Sequence, residues 1–401
     1  MWPPLLPLEV LRVNGRRRAL LGLGACLAGG VAAAEHESPG LVGPQGSLPV
    51  FHAALRERLR FSYGWSEAWA ADPRAWTRAG RAKARELMLG HGEDDSPFEA
   101  RPLAEIDRGS HLARKIELQI SRDSRVLALL LLPKSAGRHP AALLLHDHGG
   151  RFDIGKEKLV QTWDDPLREA ASQAWAARYF SGRLPGEALA RRGYVVLAVD
   201  ALGWGHRSAA DFGPESQQAL AANLFNLGAS WAGLIATEDL RAVRFLAGLS
   251  EVDARQIAAV GFSMGALRAW QVAALSNQLA ATVAVNWMGT HQVLMQPGSN
   301  QLKGQSAYAM LHPGLARHLD YPDVAALAAP KPMLLYAGAR DALFPLSAVQ
   351  PAFTKMHAVW AAYGADARLQ TRIWPTGHEF TREQQDAAFD WLDRELGYRA
   401  D

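Results

Sequence analysis

Cysteine is almost absent from this chain of 401 residues: Cys26 is the only one. It falls in an N-terminal stretch that reads as a removable leader, so the mature chain is left without a disulfide, a thiolate metal site or a cysteine nucleophile. A membrane-spanning run is missing there too. The apolar segment Ala19 to Val31 has about 13 residues against the roughly 20 that a spanning helix needs, which favours cleavage over stable membrane insertion. The third absence is an excess of one charge. Residues 1–34 hold 4 of the 43 Lys and Arg and 1 of the 40 Asp and Glu, so 39 of each remain beyond them. The net charge of +3 therefore resides in the leader and gives no argument for nucleic acid or an anionic membrane as partner.

The leader has three parts. Arg12 and the run Arg16, Arg17, Arg18 precede the apolar segment, which ends in Ala32, Ala33 and Ala34. This is the order of an export signal over residues 1–34, by a twin-arginine or a Sec route, and it predicts a periplasmic or extracellular protein. Cys26 in "LGAC" offers lipid attachment as the alternative, against which about seven apolar residues before it make a short leader core.

Over the whole sequence, 49% hydrophobic and 21% charged residues suit a globular chain. Residues 35–110 read as a Gly/Pro/Ser-rich connector followed by a helical segment. In it, "FHAALRERLRF" and "DPRAWTRAGRAKARELMLG" carry helical spacing, the second with Asp72 and Pro73 as a start and Gly90 as a stop. These helices are expected to form a lid or brace with a solvated basic face.

From residue 111 to 401 the texture changes to short apolar runs separated by longer helical ones. "LARKIELQI" and "RVLALLLLP" read as a strand pair, followed by "AALLLH", "YVVLAVD", "QIAAVGF", "ATVAVNW", "PMLLYAG" and "LQTRIWP". Unbroken apolar runs suit strands buried on both faces, hence a mostly parallel α/β sheet with helices on both sides and ligands at its carboxyl ends. Residues 151–185 and 289–330 exceed ordinary connections and are expected to be helical insertions with a functional part.

One stretch, "AAVGFSMGALRAWQVA", has Gly261-Phe262-Ser263-Met264-Gly265 at its centre. A strand enters it and a helix leaves it, so Ser263 falls on a sharp elbow where flanking glycines avoid collisions with neighbouring backbone. The helix that starts at Met264 aims its free N–H groups at the serine, making the Met264 amide a candidate oxyanion donor. A second donor is expected from "LLLHDHGGRF", with Gly150 preferred and Gly149 next. A hydroxyl also needs a base, and the base an acid to fix its tautomer. Asp341 in "GARDALFP" and His378 in "TGHEF" each follow a strand, in the chain order Ser, Asp, His. The H-x-H of His146 and His148 has no companion ligand cluster elsewhere in the sequence, so no metal or other cofactor is called for. Asp200 in "DALGWGHR" reads as a structural acid closing a glycine turn, with Trp204 or His206 near a pocket. Trp163, Trp287 and Phe344 are further candidates for a pocket wall.

Through "HDHGG", "GYVVLAVDALGWGHR", "GFSMG", "GARDALFP" and "TGHEF", residues from about 112 to 398 resemble the α/β-hydrolase superfamily. More narrowly, they resemble its dienelactone-hydrolase-like and acetyl-xylan-esterase-like secreted bacterial esterases. The resemblance implies the α/β-hydrolase fold and a small-molecule or carbohydrate ester substrate; Ser263 in place of the cysteine of dienelactone hydrolase proper departs from a lactone substrate. A serine peptidase of the prolyl-oligopeptidase type shares this machinery but carries a propeller that residues 35–110 are too short to form. A binding protein that kept the fold without activity is the alternative of a different class. Expression in an exporting host is expected to yield a mature chain beginning at Glu35; an intact-mass measurement that finds residues 1–34 retained contradicts the leader.

Overall fold

A computed structural model of the chain describes residues 48–89, 94–303 and 308–398. The leader expected over 1–34, Cys26, the connector expected over 35–47 and the stop signal Gly90 lie outside the described residues. The chain divides into two units, residues 1–50 and 51–401, and of the first only residues 48–50 are described.

Nine strands form one sheet: β1 (Arg101–Asp107), β2 (His111–Ser121), β3 (Ser124–Pro133), β4 (His139–Leu145), β5 (Val195–Val199), β6 (Val252–Phe262), β7 (Ala281–Val285), β8 (Met333–Gly338) and β9 (Leu369–Trp374). Their order across the sheet is β1-β2-β3-β5-β4-β6-β7-β8-β9. The β1–β2, β2–β3 and β3–β5 pairs are antiparallel, and every pair from β5 to β9 is parallel. This is the α/β-hydrolase architecture the sequence implied. The apolar runs lie where burial on both faces demands them. In β4, Ala141, Leu143 and Leu145 face one half of the core while Ala142 and Leu144 face the other, and β5 divides in the same way.

One boundary needs correction and one helix was not foreseen. Residues 101–107 were assigned to the linker and helical segment ending at 110, yet they form edge strand β1, so the sheet starts before residue 111. Along this edge strand only Ala104 and Ile106 pack against the core, so it carries no unbroken apolar run, and Pro102 is tolerated there because an edge has ladder positions to spare. The helix Pro214–Asn226 was also not foreseen, since only Gln217 and Ala221 are buried along it.

The helix Pro73–Met88 acts as a brace. Asp72 caps it by accepting from the Ala75 N–H at 2.8 Å. Its basic face is only partly given to solvent: Arg81 donates to the Leu327 carbonyl at 2.9 Å and Arg85 to the Leu275 carbonyl at 2.5 Å. Both acceptors are carbonyls at helix ends, which lack intrahelical donors. Among the described residues, no single helix is long and apolar enough to cross a membrane.

β4 is followed by β5 on one side and flanked by β6 on the other, so a crevice opens beyond their carboxyl ends. β6 ends at Phe262 and the helix Met264–Leu275 begins one residue later, leaving Ser263 alone in the turn at φ 55° and ψ −127°. The turn closes because its flanks lack side chains. A Cβ on Gly261 would stand 1.9 Å from the Gly265 carbonyl oxygen, and one on Gly265 would stand 1.8 Å from that of Leu145. All twelve residues of the helix are buried. Its one charged side chain, Arg268, makes a two-point pair with Asp239 (2.7 and 2.8 Å) on the helix Trp231–Ala247 and reaches the His146 carbonyl at 3.3 Å.

Gly265→Ala is therefore expected to cost at least about 4 kcal/mol, read as a lower urea midpoint or as failure to accumulate folded protein. A midpoint equal to the parent's contradicts this packing. Arg268→Met strands the buried Asp239 carboxylate and is expected to cost about 3–5 kcal/mol in the same measurement.

Candidate active site

Ser263, Asp341 and His378 are brought together although 115 positions separate the serine from the histidine. Asp341 lies just past the end of β8, and His378 sits between β9 and the helix Arg382–Glu395. The Asp341 Oδ2 atom is 2.7 Å from His378 Nδ1, and His378 Nε2 is 2.8 Å from Ser263 Oγ. A carboxylate only accepts, so Nδ1 carries the proton and Nε2 presents its lone pair to the hydroxyl, which donates to it. The other carboxylate oxygen of Asp341 accepts from the Leu343 N–H at 2.8 Å, leaving the side chain buried and fully engaged.

The histidine loop is fixed from below. Asn286, held at φ 57° just past β7, donates through Nδ2 to the carbonyls of Gly377 (3.3 Å) and Glu379 (3.0 Å). Gln384 donates to Thr376 Oγ1 at 3.1 Å. The imidazole packs between Phe262, 4.9 Å away centre to centre, and Phe344, at 6.0 Å and nearly parallel. Asn286 escaped the sequence reading because it sits inside the run "ATVAVNW", where only its backbone angle marks it.

Above the serine lies a cavity of about 540 Å³. Ser263, Met264 and His378 line it beneath aromatic walls of Phe152, Tyr179, Phe212, Trp287 and Phe344. Gln217, Asn300 and Gln301 add polar groups. Phe152 and Tyr179 come from the 151–185 segment, and Asn300, Gln301 and Met310 from the 289–330 segment. Of the expected wall residues, Trp287 and Phe344 reach the cavity. Trp163 instead stacks under the Lys115 ammonium, and Trp204 is fully buried behind His148 and Phe152.

The Met264 N–H opens the helix and has no acceptor among the described residues. Gly149 and Gly150 both line the cavity, at φ 57° and 66°. The expectation for Gly150 meets an obstacle, because its N–H donates to His148 Nδ1 at 3.2 Å. Burial and the neighbouring Lys158 charge push His148 down to about 3, so the ring stays neutral and Nδ1 remains an acceptor at ordinary pH. His146 is committed on both ring nitrogens: Nδ1 donates to the Asp147 carbonyl and Nε2 accepts from the Ala201 N–H, each at 3.0 Å.

Behind this loop lies a buried charge cluster that the sequence reading passed over. Lys156, Glu157 and Lys158 are almost wholly buried. Asp200, assigned as a structural acid, accepts from the Lys156 N–H at 2.8 Å and the His206 N–H at 3.1 Å. Burial alone would raise its carboxyl, but the Lys156 ammonium and these hydrogen bonds hold it well below the carboxylate range. Glu157, Asp200 and His206 come close enough together to ligate a cation. The Lys156 ammonium already stands among them, 2.8, 2.7 and 2.9 Å from their ligand atoms, as counter-ion to the two carboxylates and donor to the His206 ring.

The fold and the sequence both have recognisable relatives. YtaP of Bacillus subtilis (strain 168), named as a hydrolase, is 28% identical over 289 residues, 72% of this chain and 89% of its own. A Bacteroides fragilis protein designated an acetyl xylan esterase superposes with a TM-score of 0.65 at 16% identity, over 80% of this chain and 81% of its own. The glucuronoyl esterase of Solibacter usitatus superposes with a TM-score of 0.57 at 13% identity, over 82% and 93%. The sequence pattern of the Dienelactone hydrolase family matches residues 182–400, which span the elbow serine, the acid and the histidine, and the chain belongs to that family.

Proposed function

We propose that the chain is an exported serine esterase acting through Ser263, His378 and Asp341. The observation that carries the proposal is the unbroken relay from the Asp341 carboxylate through His378 to the Ser263 hydroxyl, beneath an open cavity. Ser263 Oγ attacks the ester carbonyl while His378 Nε2 takes its proton, and the resulting imidazolium is stabilised by Asp341. The oxyanion is held by the Met264 amide and by a second amide from the loop containing Gly149 and Gly150. His378 returns the proton to the leaving alcohol. Water, deprotonated by the same imidazole, then attacks the acyl-enzyme and releases the acid.

A carbohydrate ester is the substrate class best supported. Aromatic walls suit the apolar faces of a sugar ring, and Gln217, Asn300 and Gln301 suit its hydroxyls. The fold's likeness to proteins named as acetyl xylan and glucuronoyl esterases agrees with this choice. The described residues ahead of the sheet form helices instead of a propeller, which weighs against the peptidase alternative.

Hydrolysis of p-nitrophenyl acetate by the mature chain is expected to fall on the order of 10⁶-fold in kcat for Ser263→Ala. Asp341→Asn, which leaves an amide against Nδ1, is expected to lose about 10⁴-fold. Undiminished turnover in Ser263→Ala contradicts the nucleophile, and no turnover of any ester by the wild-type chain favours a binding protein. A panel of acetylated sugars, aryl esters and a peptide anilide separates carbohydrate esterase from peptidase, which alone would cleave the anilide.

A further inference from the structure

The loop after β4 is pinned by a lysine that nothing in the proposed chemistry requires. Lys158 is fully buried, and its Nζ donates to the carbonyl oxygens of both Asp147 and His148 at 2.9 Å. The same ammonium lies 3.6 Å from the Asp147 carboxylate and over the Trp175 ring at 4.9 Å. Each carbonyl has a further donor: His146 Nδ1 serves Asp147 at 3.0 Å, and Trp204 Nε1 serves His148 at 3.1 Å. Trp175 Nε1 takes the Asp147 carboxylate at 3.1 Å. Burying an ammonium costs several kcal/mol unless it is well paired, and here most of its pairing goes to two consecutive peptide carbonyls.

Both peptides are trans. In a trans peptide the carbonyl and the N–H point in opposite directions, so carbonyls drawn onto Lys158 turn the N–H groups of His148 and Gly149 away from it. Neither N–H has an acceptor among the described residues, and both residues line the cavity over Ser263. The next amide, of Gly150, is occupied by His148 Nδ1. A cation on the carbonyl side also polarises each peptide and leaves its N–H more positive.

Resting on the esterase reading, we propose that Lys158 is a positioning residue for the oxyanion: it locks the 147–149 peptides so that the N–H groups of His148 and Gly149, and not that of Gly150, face the developing charge beside Met264. The lysine never touches substrate. Its effect belongs to the transition state, so it acts on kcat and leaves ground-state binding nearly unchanged.

The test compares wild type with Lys158→Met, Lys158→Arg and Trp204→Phe, using p-nitrophenyl acetate for turnover and phenylboronic acid as a tetrahedral anionic adduct of the serine. Lys158→Met is expected to lose about 10²–10³-fold in kcat with KM held within about threefold, and to bind the boronic acid more weakly by a similar factor. Lys158→Arg, which keeps a cation, is expected to recover part of the loss. The low-field proton resonance of the His378–Asp341 hydrogen bond should persist in all three, separating loss of the oxyanion contact from collapse of the triad. Should Lys158→Met not fold, Trp204→Phe frees one donor from the His148 carbonyl and is expected to lose about tenfold in kcat at unchanged KM. Wild-type kcat and boronate affinity in a folded Lys158→Met, or in Trp204→Phe if the first does not fold, overturn the proposal. Failure of a fluorophosphonate to label Ser263 in the wild type would instead overturn the esterase reading beneath it.

Discussion

The close approach of backbone to backbone at the end of β4 and the start of the Met264–Leu275 helix is the constraint on which the site rests. Gly265 lies so near the Leu145 carbonyl that no side chain fits between them. That contact draws the helix start against the β4 loop, so Met264 and residues 147–150 border the same cavity. It also leaves one residue to make the turn, and that residue takes a positive φ that an L-amino acid occupies only under compulsion. The serine is thereby lifted out of a buried strand toward the histidine without any movement of the sheet.

Rigidity around this contact comes from buried charge. Arg268 and Asp239 tie the helix Met264–Leu275 to the helix Trp231–Ala247 and to the end of β4. Lys156 knits Glu157, Asp200 and His206 together on the far side of the loop, and Lys158 holds the loop itself. Such pairs add little net stability, because desolvation offsets their attraction. They do penalise every rearrangement that leaves one partner alone, and that property suits the proposed esterase site, whose donors would be held in place before charge develops.

The sheet was legible because most of its strands are buried on both faces and therefore spelled in unbroken apolar letters, as in "AALLLH" and "ATVAVNW". Ser263, Asp341 and His378 could be picked out because each stands alone at a strand's carboxyl end, in an order the fold prescribes. The edge strand β1 left no such trace, since only Ala104 and Ile106 of Arg101–Asp107 pack against the core and the rest of the strand is exposed. Lys156, Glu157 and Lys158 were invisible for the opposite reason: a run of charges reads as solvated surface, and only tertiary structure supplies the counter-ions that allow it to be buried. Gly150 was preferred over its neighbours on glycine's freedom alone, whereas the free amide is decided by which N–H a histidine ring has already taken.

The central claim is that the Ser263 hydroxyl is made nucleophilic by His378. Labelling with a fluorophosphonate, followed by peptide mass mapping, tests it most directly. The account predicts one label per chain, on Ser263, with ester hydrolysis lost in proportion to labelling and the labelling rate sharply reduced in His378→Ala. A label on another residue, or hydrolysis that survives complete labelling of Ser263, would contradict it.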